Sequence, residues 1–309
     1  MTQARGMDAH TDKPLDPASS PPTSPSSTQS LDHLRDWIGR SEQRDDVVTA
    51  APLAGLSATL DRVDDPAPVA GTTLPPLAHW LYFLPQAPQH EIGADGHPKR
   101  GGFLPPVPLP RRMWAGGRLS FQHALHVGEA VTRRSTITRV DAKQGRSGAL
   151  VFVTVQHQVL NAQGEAVTEE HDIVYRDNPA PGAPPAAPAM AATDAQFSRR
   201  IVPDPVLLFR YSALTFNGHR IHYDRDYVTQ VEGYPGLIVH GPLIATLLVD
   251  LLRREMPEAV LARFEFKAAS PLFDIHPFTL CGRCDGDGVA LWARNHLDQL
   301  AMSARAVLA

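Results

Sequence analysis

The chain has 309 residues, 43% of them apolar and 20% charged, with a formal net charge of −4. Its length exceeds one typical domain, and its apolar fraction is enough for real cores. The slightly acidic balance gives no electrostatic reason for nucleic acid, and no run of about 18 uncharged apolar residues offers a membrane span, so neither partner is expected.

The opening stretch MTQARGMDAHTDKPLDPASSPPTSPSSTQS is rich in Pro, Ser and Thr and has no apolar core of the kind a secretory signal needs. Such a composition cannot bury enough surface to offset chain entropy, which predicts a disordered tail over 1–30 and a cytoplasmic protein. An N-terminal unit is expected over 31–177. Within it LAHWLYFL, from Leu77 to Leu84, reads as an apolar helix. The segment from His97 to Phe121 sets Lys99, Arg100, Arg111 and Arg112 among glycine pairs, prolines and Trp114. That mixture suits an anionic nucleotide held beside an aromatic surface, and suits a plain connector equally. From Arg134 to Arg176, β-branched runs separated by KQGRSG and NAQGE predict an antiparallel meander.

Asn178 to Ala195 is Pro/Ala-rich with no apolar period and reads as a linker. A C-terminal unit is expected over 196–309. GPLIATLLVDLLRREM, from Gly241 to Met256, has only Thr246 and Asp250 as polar side chains between Pro242 and Leu252. A helix apolar nearly all round must be buried. Pro242 suits its first turn, and Gly241 lets a ligand approach a helix start whose N–H groups are unpaired. Strands are expected at ARFEFKAA, FTLCGRC, VALWARN and LAMSARAVL. Cys281 and Cys284 fall on one of these, three apart and so on opposite faces, which argues against converging thiols. One buried helix plus an antiparallel meander, used twice, is an α+β pattern.

The densest chemistry lies in YSALTFNGHRIHYDRDY, from Tyr211 to Tyr227. Asn217 and His222 are five apart, a spacing that only a turn such as one through Gly218 folds together. His222 suits proton transfer near neutrality, and Asn217 can orient water without changing charge. Asp224 reads as the N-cap of RDYVTQ. Arg220 could grip a phosphate or a substrate carboxylate, or pair with Asp224. His240 is expected to pack beside the helix start, with a chance of touching substrate. HRIH lacks the i, i+4 spacing of a zinc pair, and a further ligand would have to be Glu232 or Asp224, so no metal is expected.

This run, with EGYPGLIVHGPL behind it, resembles the hydratase signature of MaoC-like, hotdog-fold enoyl-thioester hydratases and dehydratases. Its form is closest to the subgroup holding mesaconyl-C4-CoA hydratase, itaconyl-CoA hydratase and hydroxyacyl-thioester dehydratase type 2. The resemblance implies a double hotdog, two antiparallel sheets each wrapped around a central helix, with the N-terminal half binding substrate. It implies that His222 is the catalytic histidine, that the Gly241 N–H polarises the thioester, and that a loop containing Arg111, Arg112 and Trp114 helps shape the acyl-CoA cleft. It also implies an acyl-CoA substrate, no other cofactor, and a homodimer. Asn217 stands where the wider family has aspartate, so its two-residue acid/base scheme does not transfer directly. Hydration of a branched C5 dicarboxylyl-CoA to citramalyl-CoA is the activity implied; a hotdog thioesterase and a non-catalytic acyl-thioester-binding protein are the rivals.

Overall fold

The computed structural model describes residues 31–145, 148–178 and 187–309. The expected tail, residues 146 and 147 of the KQGRSG turn, and residues 179–186 of the expected linker lie outside them. The strands are β1 (Ser41–Val47), β2 (Arg111–Phe121), β3 (Ala130–Gly145), β4 (Gly148–Asn161), β5 (Gly164–Arg176), β6 (Phe197–Ile201), β7 (Leu261–Ala268), β8 (Phe278–Asp285), β9 (Gly288–Arg294) and β10 (Leu300–Leu308). Among the described residues three α-helices accompany them: α1 (Ala50–Thr59), α2 (Pro205–Leu214) and α3 (Gly241–Glu255).

All ten strands join one antiparallel sheet in the order β1-β3-β4-β5-β2-β7-β10-β9-β8-β6. The first five strands run 1-3-4-5-2, and the last five repeat that permutation as 6-8-9-10-7, read inward from each edge. The halves meet where β2 pairs with β7, Gly117 opposite Phe266. This is the double hotdog of the α+β class. The two expected sheets are fused edge to edge, and residues 32–309 form one compact unit.

The meander and the four C-terminal strands fall where alternation and turn residues put them. Cys281 is buried and Cys284 exposed, both as free thiols. Every residue of α3 from Leu243 to Leu252 is buried, and burying each of its leucines contributes roughly 1.5–3 kcal/mol.

Two expectations need correction. LAHWLYFL forms only a 3-10 turn, Ala78–Leu81. Leu77 and Phe83 have φ of 71° and 55°, which interrupts a right-handed helix at both ends. The N-terminal counterpart of α3 is instead α1. The segment from His97 to Phe121 is not loop throughout, because its second half is β2, the strand that joins the halves. Part of the expected linker is also tied down: the Ala191 N–H donates to Asp298 O and Leu300 N–H to Ala189 O. Among the described residues no helix is long and apolar enough to cross a membrane.

Candidate active site

Helix α2 carries the motif into place. Asp204 caps its start, accepting from the Leu207 N–H at 2.9 Å. At its end the Phe216 N–H donates to Ala213 O and the Asn217 N–H to Ser212 O, the paired bonds of a Schellman motif. Glycine usually takes the left-handed residue of that motif; here Phe216 does, with φ of 49°. The sharp reversal delivers Asn217 to the rim of a cavity. The Asn217 Oδ1 accepts from the His219 N–H at 3.0 Å, so its NH₂ group is the part left to face a ligand.

The chain then makes a 3-10 turn, Arg220–His222. His222 is buried, and its Nδ1 lies 2.7 Å from Ile238 O. A carbonyl can only accept, so Nδ1 carries the proton and Nε2 is left with a lone pair. The ring of His222 stacks on His240, centroids 3.6 Å apart, and meets His219 edge-on at 5.4 Å. His240 is the residue before α3, and its Nε2 lies 2.8 Å from Ser212 Oγ. A closed circuit of contacts results: Asn217 to Ser212, Ser212 to His240, His240 to His222, His222 to His219, and His219 back to Asn217. Next to it Gly241 opens α3. A side chain there would meet no heavy atom within 4 Å, so the helix start is open as well as electropositive.

Burial sets the charge states. It pushes His222 down to about 4, against the opposing pull of the Ile238 carbonyl. Burial, with His97 and His222 nearby, takes His219 to about 2. His240 lies well below the ordinary range, from burial first and then the neighbouring imidazoles. At neutral pH these three rings are uncharged, the state in which an imidazole acts as a base.

Sequence reasoning missed the piece laid over this circuit. A short hairpin, bridged at Ile92 and Pro98, docks on the 217–220 loop, with the Arg220 N–H donating to Asp95 O. Gly96, at φ of +88°, packs so closely that a Cβ would fall 1.8 Å from Gly218 O. The hairpin brings the His97 ring to 3.9 Å from that of His219, and Asp95 Oδ2 to 3.1 Å from His97 Nδ1. Burial works to raise the Asp95 carboxyl, but bonds from His97 outweigh it and hold it well below the usual range. Asp95, His97 and His219 are the described residues whose donor atoms, all within 4.8 Å of one another, could hold a cation. The metal ligands weighed from sequence are engaged elsewhere: Asp224 with Arg220 and the Tyr227 N–H, and Glu232 with the Tyr227 hydroxyl.

The cavity beside Asn217 has a volume of about 690 Å³. Its rim includes Phe209 and Phe216, each 61% exposed, and its floor includes His79, Tyr82, Glu169 and Tyr211, all under 10% exposed. Trp114 and Trp80 line one wall, edge to face at 5.1 Å. The floor is polar because the inward faces of β3, β4 and β5 carry Arg133 and Ser135, then His157, then Glu169 and His171. Ser135 lies opposite His157, and His157 opposite Glu169. Trp80 Nε1 and His79 Nε2 reach Glu169 at 3.0 and 3.1 Å. Burial pushes the Glu169 carboxyl upward, but the His79 bond and the imidazoles of His79, His157 and His171 outweigh it and hold it at about 2. The signal for this floor was available, since strict alternation in VFVTVQHQV and VTEEHDIVY turns His157, Glu169 and His171 toward the core.

The candidate binding residues divide. Trp114 does line the cavity, its ring 3.9 Å from that of His171 and tilted by 36°. Arg112 shares its face of β2 and lies within electrostatic reach of His97, His171 and His219. Arg111 is committed to Asn178 and the Tyr234 hydroxyl. Arg220 is not a free grip for an anion. It pairs with Asp224 at 2.7 Å, donates to Ala94 O, and lies over the Tyr227 ring. Arg100 is likewise spent on the carbonyls of Val107, Leu109 and Pro110. Asp250, the one carboxylate in the buried stretch of α3, is bound by Arg62, Arg199 and Arg254.

Comparison with known proteins bears on the family and the fold. Residues 77–274 match the family model for hydroxyacyl-thioester dehydratase type 2. The chain is 48% identical over 271 residues to a mesaconyl-C(4)-CoA hydratase of Chloroflexus aurantiacus, covering 87% of this chain and 95% of that one. It is 28% identical to the mitochondrial hydroxyacyl-thioester dehydratase type 2 of Schizosaccharomyces pombe, covering 76% and 88%. Among solved structures, a MaoC-like dehydratase from Phytophthora capsici superposes with a TM-score of 0.64 at 13% identity, covering 91% of this chain and 99% of that one. A Mycobacterium tuberculosis protein described as a double hotdog does so at 0.56 and 13%, covering 88% and 96%.

Proposed function

The chain belongs to the hydroxyacyl-thioester dehydratase type 2 family, and from that premise we propose that it reversibly adds water across the double bond of a 2-enoyl-CoA. It is a hydro-lyase acting on acyl-CoA thioesters, and the substrate we favour is a branched C5 dicarboxylyl-CoA, mesaconyl-C4-CoA or itaconyl-CoA, giving citramalyl-CoA. The relative at 48% identity supports that choice.

The observation that carries the mechanism is the tautomer of His222, whose Nδ1–H is committed to Ile238 O. Its Nε2 lone pair takes a proton from water as the water oxygen bonds to the β-carbon. The π electrons of the alkene move onto the thioester oxygen, where the Gly241 N–H at the start of α3 stabilises the enolate; one such donor is typically worth ~10²–10³ in rate. The imidazolium then returns its proton to the α-carbon. Asn217 acts as a donor, its NH₂ group orienting the water, and so needs none of the acidity of the aspartate it replaces.

The arrangement of Asp250 favours hydration over hydrolysis, since three guanidinium groups hold that carboxylate away from any role as base. No further cofactor enters this scheme. A cytoplasmic homodimer is carried forward from the sequence and the family resemblance as part of the proposal, checked by fractionation and by sedimentation of the purified chain.

The test follows ultraviolet absorbance of the conjugated enoyl-thioester with mesaconyl-C4-CoA, itaconyl-CoA and crotonyl-CoA, with free thiol monitored in parallel. Loss of the enoyl band without thiol release, abolished in His222→Ala, is expected. Thiol release would mark a thioesterase, and no change with any of them would leave a binding protein.

A further inference from the structure

The cavity is lined by one arginine and one carboxylate residue, Arg133 and Glu169, and the two are not equally satisfied. Both oxygens of Glu169 accept hydrogen bonds from Trp80, and one also meets His79. The Arg133 side chain makes no ion pair or hydrogen bond among the described residues; its guanidinium carbon lies 5.2 Å from the centre of the Phe83 ring, with Arg44, Glu42, Glu169 and Asp46 within electrostatic reach. The Arg133 Nε is fully buried and unpartnered. The rest of the side chain is half-buried; a ligand that covered it without an acceptor would incur a desolvation cost, whereas a ligand carboxylate would satisfy it with two parallel bonds.

The surroundings fit such a ligand. Arg133 is two residues along β3 from Ser135, on the same inward face, and Ser135 Oγ lies 2.8 Å from His157 Nδ1. That leaves the His157 Nε2 as a further polar group. His171, beside them on β5, makes no hydrogen bond through either ring nitrogen among the described residues. Hydrogen-bonding groups therefore gather at the deep end of a cavity whose aromatic rim is exposed. A thioester entering from the rim, with its reacting carbons at Asn217 and His222, would send the far end of its acyl group toward this floor. An all-hydrocarbon acyl chain would cover the half-buried Arg133 side chain without offering it an acceptor.

We propose that Arg133, with His157 beside it, is the subsite that reads the free carboxylate of a dicarboxylyl-CoA and selects it over a simple enoyl-CoA. This rests on the acyl-CoA reading above and names which residue makes the selection. The same positions explain why the N-terminal half lacks the hydratase motif yet keeps charged and imidazole groups on a face that would otherwise be apolar.

Binding of two unreactive saturated thioesters, succinyl-CoA and butyryl-CoA, to the full-length protein by calorimetry tests the assignment without depending on turnover. In Arg133→Gln the preference for succinyl-CoA over butyryl-CoA is expected to fall by on the order of 10²-fold, the usual scale for a charge-assisted pair. Arg133→Lys should recover part of it, because the charge is kept while the two-pronged geometry is lost. Equal losses for both thioesters in Arg133→Gln, or a preference unchanged within about twofold, would overturn the proposal. If the wild-type chain prefers succinyl-CoA but hydrates no enoyl-CoA, the hydratase reading fails while the carboxylate subsite stands.

Discussion

His222 and His240 lie face to face, ring centroids 3.6 Å apart and planes within 18°, at the point where a catalytic turn meets the start of a buried helix. Burial disfavours a proton on His222, and His97 adds to that, against the opposing pull of the Ile238 carbonyl. The acid limb of kcat/KM, which reports the free enzyme, is therefore expected near pH 4 and not near the ordinary histidine value of about 6.5. A limb centred at 6.5, measured on the enoyl absorbance, would mean that His222 is not the group whose neutral form is required.

Stability should follow the same groups with a definite sign. Burial lowers His157 to about 4, His171 to about 3, His219 to about 2 and His222 to about 4, and it lowers His240 as well. Between about pH 6.5 and these values the unfolded chain binds protons that the folded chain refuses. The stabilisation is present above 6.5 and is lost as pH falls toward 4. Thermal unfolding followed by circular dichroism should give a Tm that drops steadily from pH 7 to 5, and a flat Tm over that interval contradicts the buried neutral rings.

Asn217→Asp separates geometry from donation. An aspartate still accepts from the His219 N–H, so the turn survives, but it offers no N–H to water and adds a negative charge beside the histidines. The expected result is a folded protein with kcat reduced about 10–100-fold and an acid limb shifted to higher pH, since a nearby anion favours imidazolium. Unchanged kcat would remove Asn217 from the reaction.

Gly96→Ala probes the hairpin over the site. With φ of +88° and Gly218 O in the way, the new methyl must push the 92–98 hairpin off the catalytic loop. Activity should fall by more than tenfold while the Tm changes by only a few degrees, because no residue of the 92–98 hairpin belongs to the buried hydrophobic core. Full activity in this variant would show the docking to be dispensable.

Phe216→Gly relieves a left-handed phenylalanine at the end of α2, which ordinarily costs about 1–2 kcal/mol, although glycine returns part of that gain through the unfolded chain. Phe216 is 61% exposed at the cavity rim, so little core packing is lost. We expect a Tm unchanged or slightly raised and a higher KM with kcat retained. A lowered Tm would mean that the ring supports the fold.

Much of this molecule is written locally. The apolar run from Leu243 to Leu252, the alternation in β3–β5 and β7–β10, and the Asn217, Gly218, His222 spacing depend on neighbours a few residues away, and short-range periodicity reports them. The family resemblance rested on the same stretch. LAHWLYFL misled because its composition favours a helix, while left-handed backbone at Leu77 and Phe83 and the prolines around them confine it to one turn. For Arg220 the sequence left open a grip on an anion or a pairing with Asp224; the i, i+4 pair forms, and only the fold brought Ala94, 126 positions away, to share the guanidinium. The same holds for Asp95 and His97 against His219, and for Arg133 among groups on β4 and β5. Such contacts close loops of tens to more than a hundred residues, so the free energy that selects them comes from the packing of the whole sheet, and no window of sequence contains it.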